Sequence, residues 1–134
     1  MFATILSIHG YWRWVVLVVA LLALVKFVIG WLGKGKVTDL DKTLGRVFAW
    51  VMTIQLVLGV LNLLSFVMAG AFNPRTQMEH MVYGLLATGL AHALPLRKEN
   101  RADSARFMMS AVYVLLALAL IVFSVIRLRG GWVF

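Results

Sequence analysis

The stretch Glu79-His80-Met81-Val82-Tyr83-Gly84-Leu85-Leu86-Ala87-Thr88-Gly89-Leu90-Ala91-His92 is an apolar run with a histidine near each end. His80, Gly84, Thr88 and His92 recur every four residues, which places them on one side of a helix. Small side chains on one side of a helix allow another backbone, or a flat cofactor, to come close. Ionisable groups at membrane depth are costly, so the two histidines are candidate site residues.

The composition is that of a membrane protein. The 134 residues are 63% hydrophobic and include no cysteine, and this apolar fraction is well above that of ordinary soluble domains. A helix needs roughly 20 residues to cross ~30 Å of hydrocarbon, and four continuous apolar runs are near that length. They are Tyr11–Leu32, Arg46–Ala69, Glu79–Leu96 and Phe107–Ile126.

The runs lack the alternation of an outer-membrane β-barrel. The sequence therefore predicts an all-α fold, an integral membrane four-helix bundle that forms a single domain over residues 1–134. Its helices are expected over about 11–32, 46–69, 79–96 and 107–126. The connections are short, which favours up-down-up-down topology with antiparallel sequential neighbours. Trp12, Trp14, Trp31 and Trp132 are expected at the interfaces, and Lys26 is expected to extend towards the headgroups.

The basic residues predict the orientation. The side that holds both termini carries Arg13, Arg75, Arg127 and Arg129, and the other side carries Lys34, Lys36, Lys42, Arg46, Arg97, Lys98, Arg101 and Arg106. Because basic residues mark the cytoplasmic side, both termini are expected outside. These residues lie in short loops beside the predicted spans, so the charge of +8 does not indicate a nucleic-acid partner.

His9 opens the first predicted helix and His80 opens the third, so both are expected at the outer end. In this topology the two helices are diagonal neighbours, and two opposed histidines can hold one flat macrocycle between them. Neutral imidazole is a good haem ligand, and a pair makes a six-coordinate electron-transfer site. Gly10, Gly59 and Gly84 would leave room for the ring.

Other polar residues fit the same hypothesis. Arg13 and Arg75 are available to the two carboxylates of a haem. The second predicted helix turns one stripe to one side, made of Met52, Gln55, Gly59, Asn62 and Phe66. Gln55 and Asn62 are either interhelical polar contacts or part of a quinone pocket, to which Tyr83 and Tyr113 could contribute.

Each histidine also has a simpler interpretation. His9 could be an interfacial residue at a helix start, and His80 could form a structural hydrogen-bonded pair with Glu79, with Arg13 as a further partner. His92 lies at the inner end. It either faces the headgroups or bonds a neighbouring helix, or it ligates a second haem with Met108 or Met109, and the first interpretation is preferred.

The residues His9-Gly10-Tyr11-Trp12-Arg13-Trp14 and Glu79-His80, with the four-span length, resemble the small bacterial membrane cytochromes b and cytochrome b561-like proteins. The resemblance implies one haem b, a bacterial inner (cytoplasmic) membrane location, electron transfer and exchange with quinone. The chain departs from two-haem relatives, which use four histidine ligands, because it has three histidines and none of them is in the second helix.

Two functions follow. The first is a b-type cytochrome, in which His9 and His80 hold one haem near the outer face and a quinone, a redox subunit or a second copy is the partner. The alternative is a haem-free accessory subunit of a larger membrane complex. A transporter ranks last, because few charges lie at depth and no inverted repeat is visible. No nucleophile–base set or glycine-rich phosphate loop indicates a hydrolytic or phosphate-transferring enzyme.

Overall fold

The computed structural model describes residues 2–129 as an all-α chain. Its elements are α1 (Phe2–Leu32), α2 (Asp39–Met68), α3 (Pro74–His92), a short 3₁₀ helix (Pro95–Arg97) and α4 (Asp103–Arg129). Within residues 2–129 no strand is present. The all-α prediction is confirmed, and each predicted span coincides with one α-helix.

All four helices begin earlier than the apolar runs predict, and polar residues cap the first turns of α2 and α3. The side chain of Thr38 accepts from the backbone N–H of Asp41, and the Asp41 carboxylate accepts from that of Thr38, which forms a capping box ahead of α2. At α3 the side chain of Asn73 accepts from the backbone N–H of Thr76, and Pro74 lies in the first turn. Hydropathy alone cannot detect such turns.

The four helices form the predicted up-down-up-down bundle. Helix α1 packs against α2 and α4, and α3 packs against the same two helices. Helices α1 and α3 therefore face each other across the diagonal, as the short connections predict.

The interior combines small residues with a few large apolar ones, among them Phe27, Phe48 and Phe107. The fully or almost fully buried positions include Ala20, Ala23, Ala87, Ala91, Ala111, Ala117 and Ser110. Such residues let helix backbones approach closely. The ring of Phe107 on α4 packs against Gly30 on α1, where an added Cβ would lie 2.6 Å from it.

Large apolar side chains lie on the outside of the bundle. On α1 they include Val18, Leu21, Leu22, Val25 and Ile29, and α2 and α4 carry similar sets. Three helical segments are long and apolar enough to cross a membrane, namely Thr4–Leu32, Asp39–Met68 and Asp103–Arg127.

Helix α3 differs from the predicted third span. It ends at His92, short of the expected Leu96, and the chain turns into the 3₁₀ helix at Pro95. The helix also carries several polar residues, among them Gln77, Glu79, His80, Thr88 and His92, and it is not one of the three segments apolar enough to cross a membrane. Three of the four predicted spans are thus apolar enough to cross a membrane, and a crossing by α3 stays a prediction.

Candidate functional site

The two diagonal histidines meet at one end of the bundle, which we call the histidine end. Helix α1 begins at Phe2, so His9 lies about two turns inside it. The ring centroids of His9 and His80 are 6.4 Å apart and their planes lie at 81°. Both residues are half-buried. The predicted juxtaposition of these two side chains is therefore present.

The separation is compatible with two ligands of one metal ion. Imidazoles on opposite sides of a metal have ring centroids about 6 Å apart, because a metal–nitrogen bond is about 2 Å long. Within residues 2–129 no group of three or more histidine, aspartate or glutamate side chains could hold a metal ion. A metal at this pair would take its remaining ligands from other groups, such as a cofactor or water.

The contact with Ser124 determines which nitrogen of the neutral His80 ring carries the proton. Its Nδ1 lies 3.3 Å from the backbone carbonyl oxygen of Ser124 on α4. A carbonyl only accepts hydrogen bonds, so Nδ1 carries the proton and Nε2 of the neutral ring keeps its lone pair. Metal-bound histidines commonly donate their other N–H to a carbonyl in this way. The sequence carries no signal for this role of Ser124.

Two adjoining cavities open beside the histidines. One has a volume of about 100 Å³ and reaches Arg13, Gly84 and Thr88, and the other has a volume of about 270 Å³ and reaches Asn62, Phe66 and Gln77. Five residues line both cavities: Leu6, His9, Gly59, His80 and Met81. The volume of the larger cavity is close to the lower end of the range for ligand pockets, which is about 300–1,000 Å³.

The glycines at the histidine end have two different roles. A Cβ added at Gly10 or Gly84 would meet no heavy atom within 4 Å, whereas one at Gly59 would lie 3.4 Å from Cε1 of His9. Gly59 therefore lets the imidazole pack against α2. Gly10 and Gly84 leave space beside the first cavity, as a flat group would require.

The stripe predicted on α2 lies where expected. Met52, Gln55 and Gly59 line the first cavity, and Gly59, Asn62 and Phe66 line the second. Gln55 donates from Nε2 to the backbone carbonyl of His9 at 3.1 Å, so this side chain also supports the ligand helix.

Two amide oxygens at the site lack protein partners. Gln55 Oε1 and Asn62 Oδ1 are buried and accept no hydrogen bond within the described part of the chain. Asn62 is only 5% exposed. Buried polar atoms are nearly always satisfied, so these two indicate room for a polar group or water in the cavities.

The remaining cationic and aromatic candidates lie in different places. Arg13 lines the first cavity, and its guanidinium carbon lies 5.5 Å from the ring centroid of Trp14. Arg75 is exposed. Neither Arg75, Tyr83 nor Tyr113 is among the described residues that line the two cavities. Arg13 is thus the better-placed partner for a cofactor carboxylate.

Glu79 points to partners other than His80. Its carboxylate forms an ion pair with Arg127 at 2.7 Å and accepts from the hydroxyl of Tyr83 at 3.3 Å. Adjacent helical residues do not face each other. The geometry therefore favours separate roles for Glu79 and His80 over the structural pair considered from the sequence.

His92 lies at the opposite end of α3 and is exposed. Its Nε2 is 2.6 Å from the hydroxyl of Thr53, and that hydroxyl donates its proton to the carbonyl of Ala49 at 2.9 Å. His92 is therefore the donor in the contact with Thr53. Because Nε2 carries a proton, the geometry does not favour it as the ligand of a second haem.

Several residues have contacts that the sequence analysis did not foresee. Trp12 donates from Nε1 to the carbonyl of Val51 at 2.9 Å, so it joins α1 to α2 and is not simply an interfacial residue.

Lys26 forms an ion pair with the fully buried Asp41 at 2.7 Å and does not simply extend to the headgroups. The Thr-x-x-Asp pattern at Thr38 could have identified Asp41. Trp132 lies outside the described residues.

A scan against models of protein families, a search of curated proteins and a search of solved structures each gave no match for this chain.

Proposed function

We propose that the chain is an integral membrane protein whose bundle crosses the lipid bilayer. Three helices have the necessary length and apolar character, and their large aliphatic side chains lie outside while alanines lie inside. Exposed apolar surface on this scale marks contact with lipid or with other proteins. Helix α3 is more polar, and it supplies His80 to the candidate site.

The proposed location is a bacterial inner membrane, with the histidine end outside. Most basic residues lie at the other end of the bundle, which is expected to be cytoplasmic. The start of α1 and the end of α4 lie together at the histidine end, which agrees with the expectation that both termini are outside.

For a membrane protein with this orientation, the function that the geometry supports best is that of a b-type cytochrome. His9 and His80 would hold the iron of one haem b, with Nε2 of His80 as one ligand atom. The observation that carries this proposal is the pair of rings 6.4 Å apart, one of which has its Nδ1–H fixed by Ser124. When bound, haem supplies a reversible one-electron change of its iron.

The other residues of the site would support this pair. Arg13 would neutralise a haem carboxylate, since a guanidinium is always charged and suits carboxylate geometry. Gly10 and Gly84 would admit the flat ring, and Leu6 and Met81 would help to exclude water. Gln55 would hold the backbone at His9, and Asn62 would offer a polar contact. A quinone in the bilayer or a redox subunit is the proposed electron partner.

Absorption spectra of the purified protein test this proposal. The protein would be purified in mild detergent, and oxidised and dithionite-reduced spectra recorded with a pyridine haemochrome assay. We expect about one haem b per chain. His9→Ala and His80→Ala should lose it, whereas His92→Ala, the matched control, should retain it.

Absence of haem, together with failure of the protein to take up added haemin, would overturn the cytochrome proposal. The haem-free accessory subunit would then be the function to pursue, through the proteins that co-purify. Equal loss of haem in His92→Ala would contradict the assignment of the ligands.

A further inference from the structure

A second site lies at the opposite end of the bundle, between α2 and α3. A cavity of about 310 Å³ is lined there by cationic, aromatic and aliphatic side chains. Its described lining is Lys42, Gly45, Arg46, Ala49, Trp50, Ala91, His92, Leu94 and Leu96. This cavity shares no residue with those at the histidine end and is separate from the proposed haem site.

The polar part of the cavity is basic. Lys42, Arg46 and Trp50 are spaced four residues apart, which places them along one face of α2. Arg46 and His92 are exposed, and Lys42 lies 3.6 Å from the carboxylate of Glu99. Glu99 is 80% exposed in its side chain and does not line the cavity. An anion with several acceptor oxygens would suit this set of donors.

The rest of the cavity is apolar. Leu94 and Leu96 close against α2 at Gly45, where an added Cβ would lie 3.3 Å and 3.2 Å from their terminal carbons. Ala49 and Ala91 keep the helices close. Trp50 is 61% exposed, as expected of an aromatic ring at the boundary between headgroups and acyl chains.

We propose that this cavity binds the phosphate headgroup of an anionic phospholipid, with Lys42 and Arg46 as the phosphate contacts and Trp50 beside the acyl chains. A basic recess between helices on the cytoplasmic side is a recurring way to bind such lipids. The apolar wall next to the cations favours a lipid over free phosphate. The inference rests on the proposed membrane location but not on the proposed cofactor.

Quenching of tryptophan fluorescence by brominated lipids tests the inference. The detergent-solubilised full chain would be titrated with brominated phosphatidylglycerol and, separately, with brominated phosphatidylcholine. We expect the anionic lipid to quench at a lower mole fraction, and Trp50→Phe to remove most of that component. Lys42→Gln/Arg46→Gln should weaken the preference by at least about tenfold, because it removes direct charge-assisted contacts with the phosphate and not only general surface charge.

The matched control is Lys34→Gln/Lys36→Gln, which removes the same charge from the exposed loop between α1 and α2. It should keep the preference within about twofold of the original chain. Circular dichroism would show that each double variant retains its helices. Repeating the titration with haem-free protein, or with His80→Ala, separates this site from the cytochrome proposal.

Three results would overturn the proposal. Equal loss of the preference in both double variants would indicate general attraction between charged surfaces. Equal quenching by both lipids would show that the cavity does not recognise the anionic headgroup. Displacement of the lipid by millimolar inorganic phosphate would show that the cavity recognises a phosphate ion and not a lipid.

Discussion

His80 on α3 donates its Nδ1–H to the backbone carbonyl of Ser124 on α4, at 3.3 Å. The contact orients the ring towards His9, 6.4 Å away between centroids. It also leaves Nε2 as the acceptor atom of the neutral imidazole. His92, at the other end of the same helix, has the opposite arrangement because its Nε2 is the donor to Thr53.

The first prediction is that the two histidines of α3 are opposite tautomers when neutral. In haem-free protein under conditions in which both rings are neutral, His80 should carry its proton on Nδ1 and His92 on Nε2. Nitrogen-15 chemical shifts of histidine-labelled protein distinguish the two forms, and His80→Gln and His92→Gln assign the signals. Detection of His80 as the Nε2–H form would contradict the contact with Ser124.

The second prediction concerns the space beside Gly84. Because a Cβ there meets nothing within 4 Å and Gly84 lines the first cavity, Gly84→Leu should fill that cavity without disturbing the helices. We expect the haem content to fall by at least about tenfold, the effect of about 1.4 kcal/mol. The pyridine haemochrome assay measures it.

Gly89→Leu is the control for Gly84→Leu, because Gly89 lies on the same helix, is exposed and also has open space at its Cβ. It should leave the haem content unchanged. If both leucine variants lost haem to the same extent, the space beside Gly84 would not be the cofactor cavity.

The third prediction is that Asn62 reduces the stability of the haem-free protein. Its buried Oδ1 accepts no hydrogen bond within residues 2–129, and an unsatisfied buried acceptor costs about 1–3 kcal/mol. Asn62→Leu should therefore raise the free energy of unfolding by about 1 kcal/mol. Unfolding in mixed micelles with increasing dodecyl sulfate would measure it.

Ser65→Leu serves as the control for Asn62→Leu on the same helix. The hydroxyl of Ser65 already donates to the carbonyl of Leu61, so its removal relieves no unsatisfied group and should not stabilise the protein. If Ser65→Leu raised the free energy of unfolding as much as Asn62→Leu, the added apolar volume would be the cause and not the loss of the unsatisfied Asn62 Oδ1.

The fourth prediction concerns the ion pair that joins α1 to α2. The fully buried Asp41 accepts from Lys26, from the backbone N–H of Thr38 and from the Thr38 hydroxyl. Asp41→Ala should lower the free energy of unfolding by about 2 kcal/mol, since it removes a helix cap and an ion pair whose lysine is 37% exposed. The same unfolding titration checks it.

Asp39→Ala is the matched control for Asp41→Ala, because Asp39 is exposed in the same first turn. Asp39→Ala should lower the free energy of unfolding by less than about 1 kcal/mol, which is the usual contribution of a carboxylate near the positive end of the helix dipole. If both variants lowered the free energy of unfolding equally, the Lys26–Asp41 ion pair would contribute little to stability.

The fifth prediction concerns the contact between Gly30 on α1 and Phe107 on α4. A Cβ at Gly30 would lie between 2.6 Å and 2.8 Å from three ring atoms of the fully buried Phe107. Overpacking destabilises a protein by about 1–3 kcal/mol, whereas replacing glycine by alanine inside a helix stabilises it by about 1 kcal/mol. Gly30→Ala should therefore destabilise the protein by about 1 kcal/mol, measured by thermal unfolding in detergent.

The exposed Gly89 again provides the comparison for Gly30→Ala, since Gly89→Ala meets no neighbour. That variant should be neutral or slightly stabilising, because alanine favours helix more than glycine does. Stabilisation of both variants would show that α1 and α4 can separate to admit the methyl group.

Hydropathy and periodicity in the sequence predicted most of the architecture. They predicted four helices, antiparallel neighbours and the diagonal placement of α1 and α3, which brings His9 and His80 to one end. The stripe from Met52 to Phe66 also lies on the cavities as expected. The polar first turns were missed, because the cap at Thr38 depends on hydrogen bonds and not on apolar character.

What the sequence by itself determined is the order and direction of the helices, because span length, loop length and apolar character are local properties of the chain. Only the tertiary structure decided that His80 contacts Ser124, that Trp12 contacts Val51 and that Lys26 contacts Asp41. These contacts depend on the rotation and depth of each helix relative to its neighbours. Rotation and depth are set by the close packing of small side chains such as Ala20, Ala87 and Gly30, which involves residues far apart in the sequence.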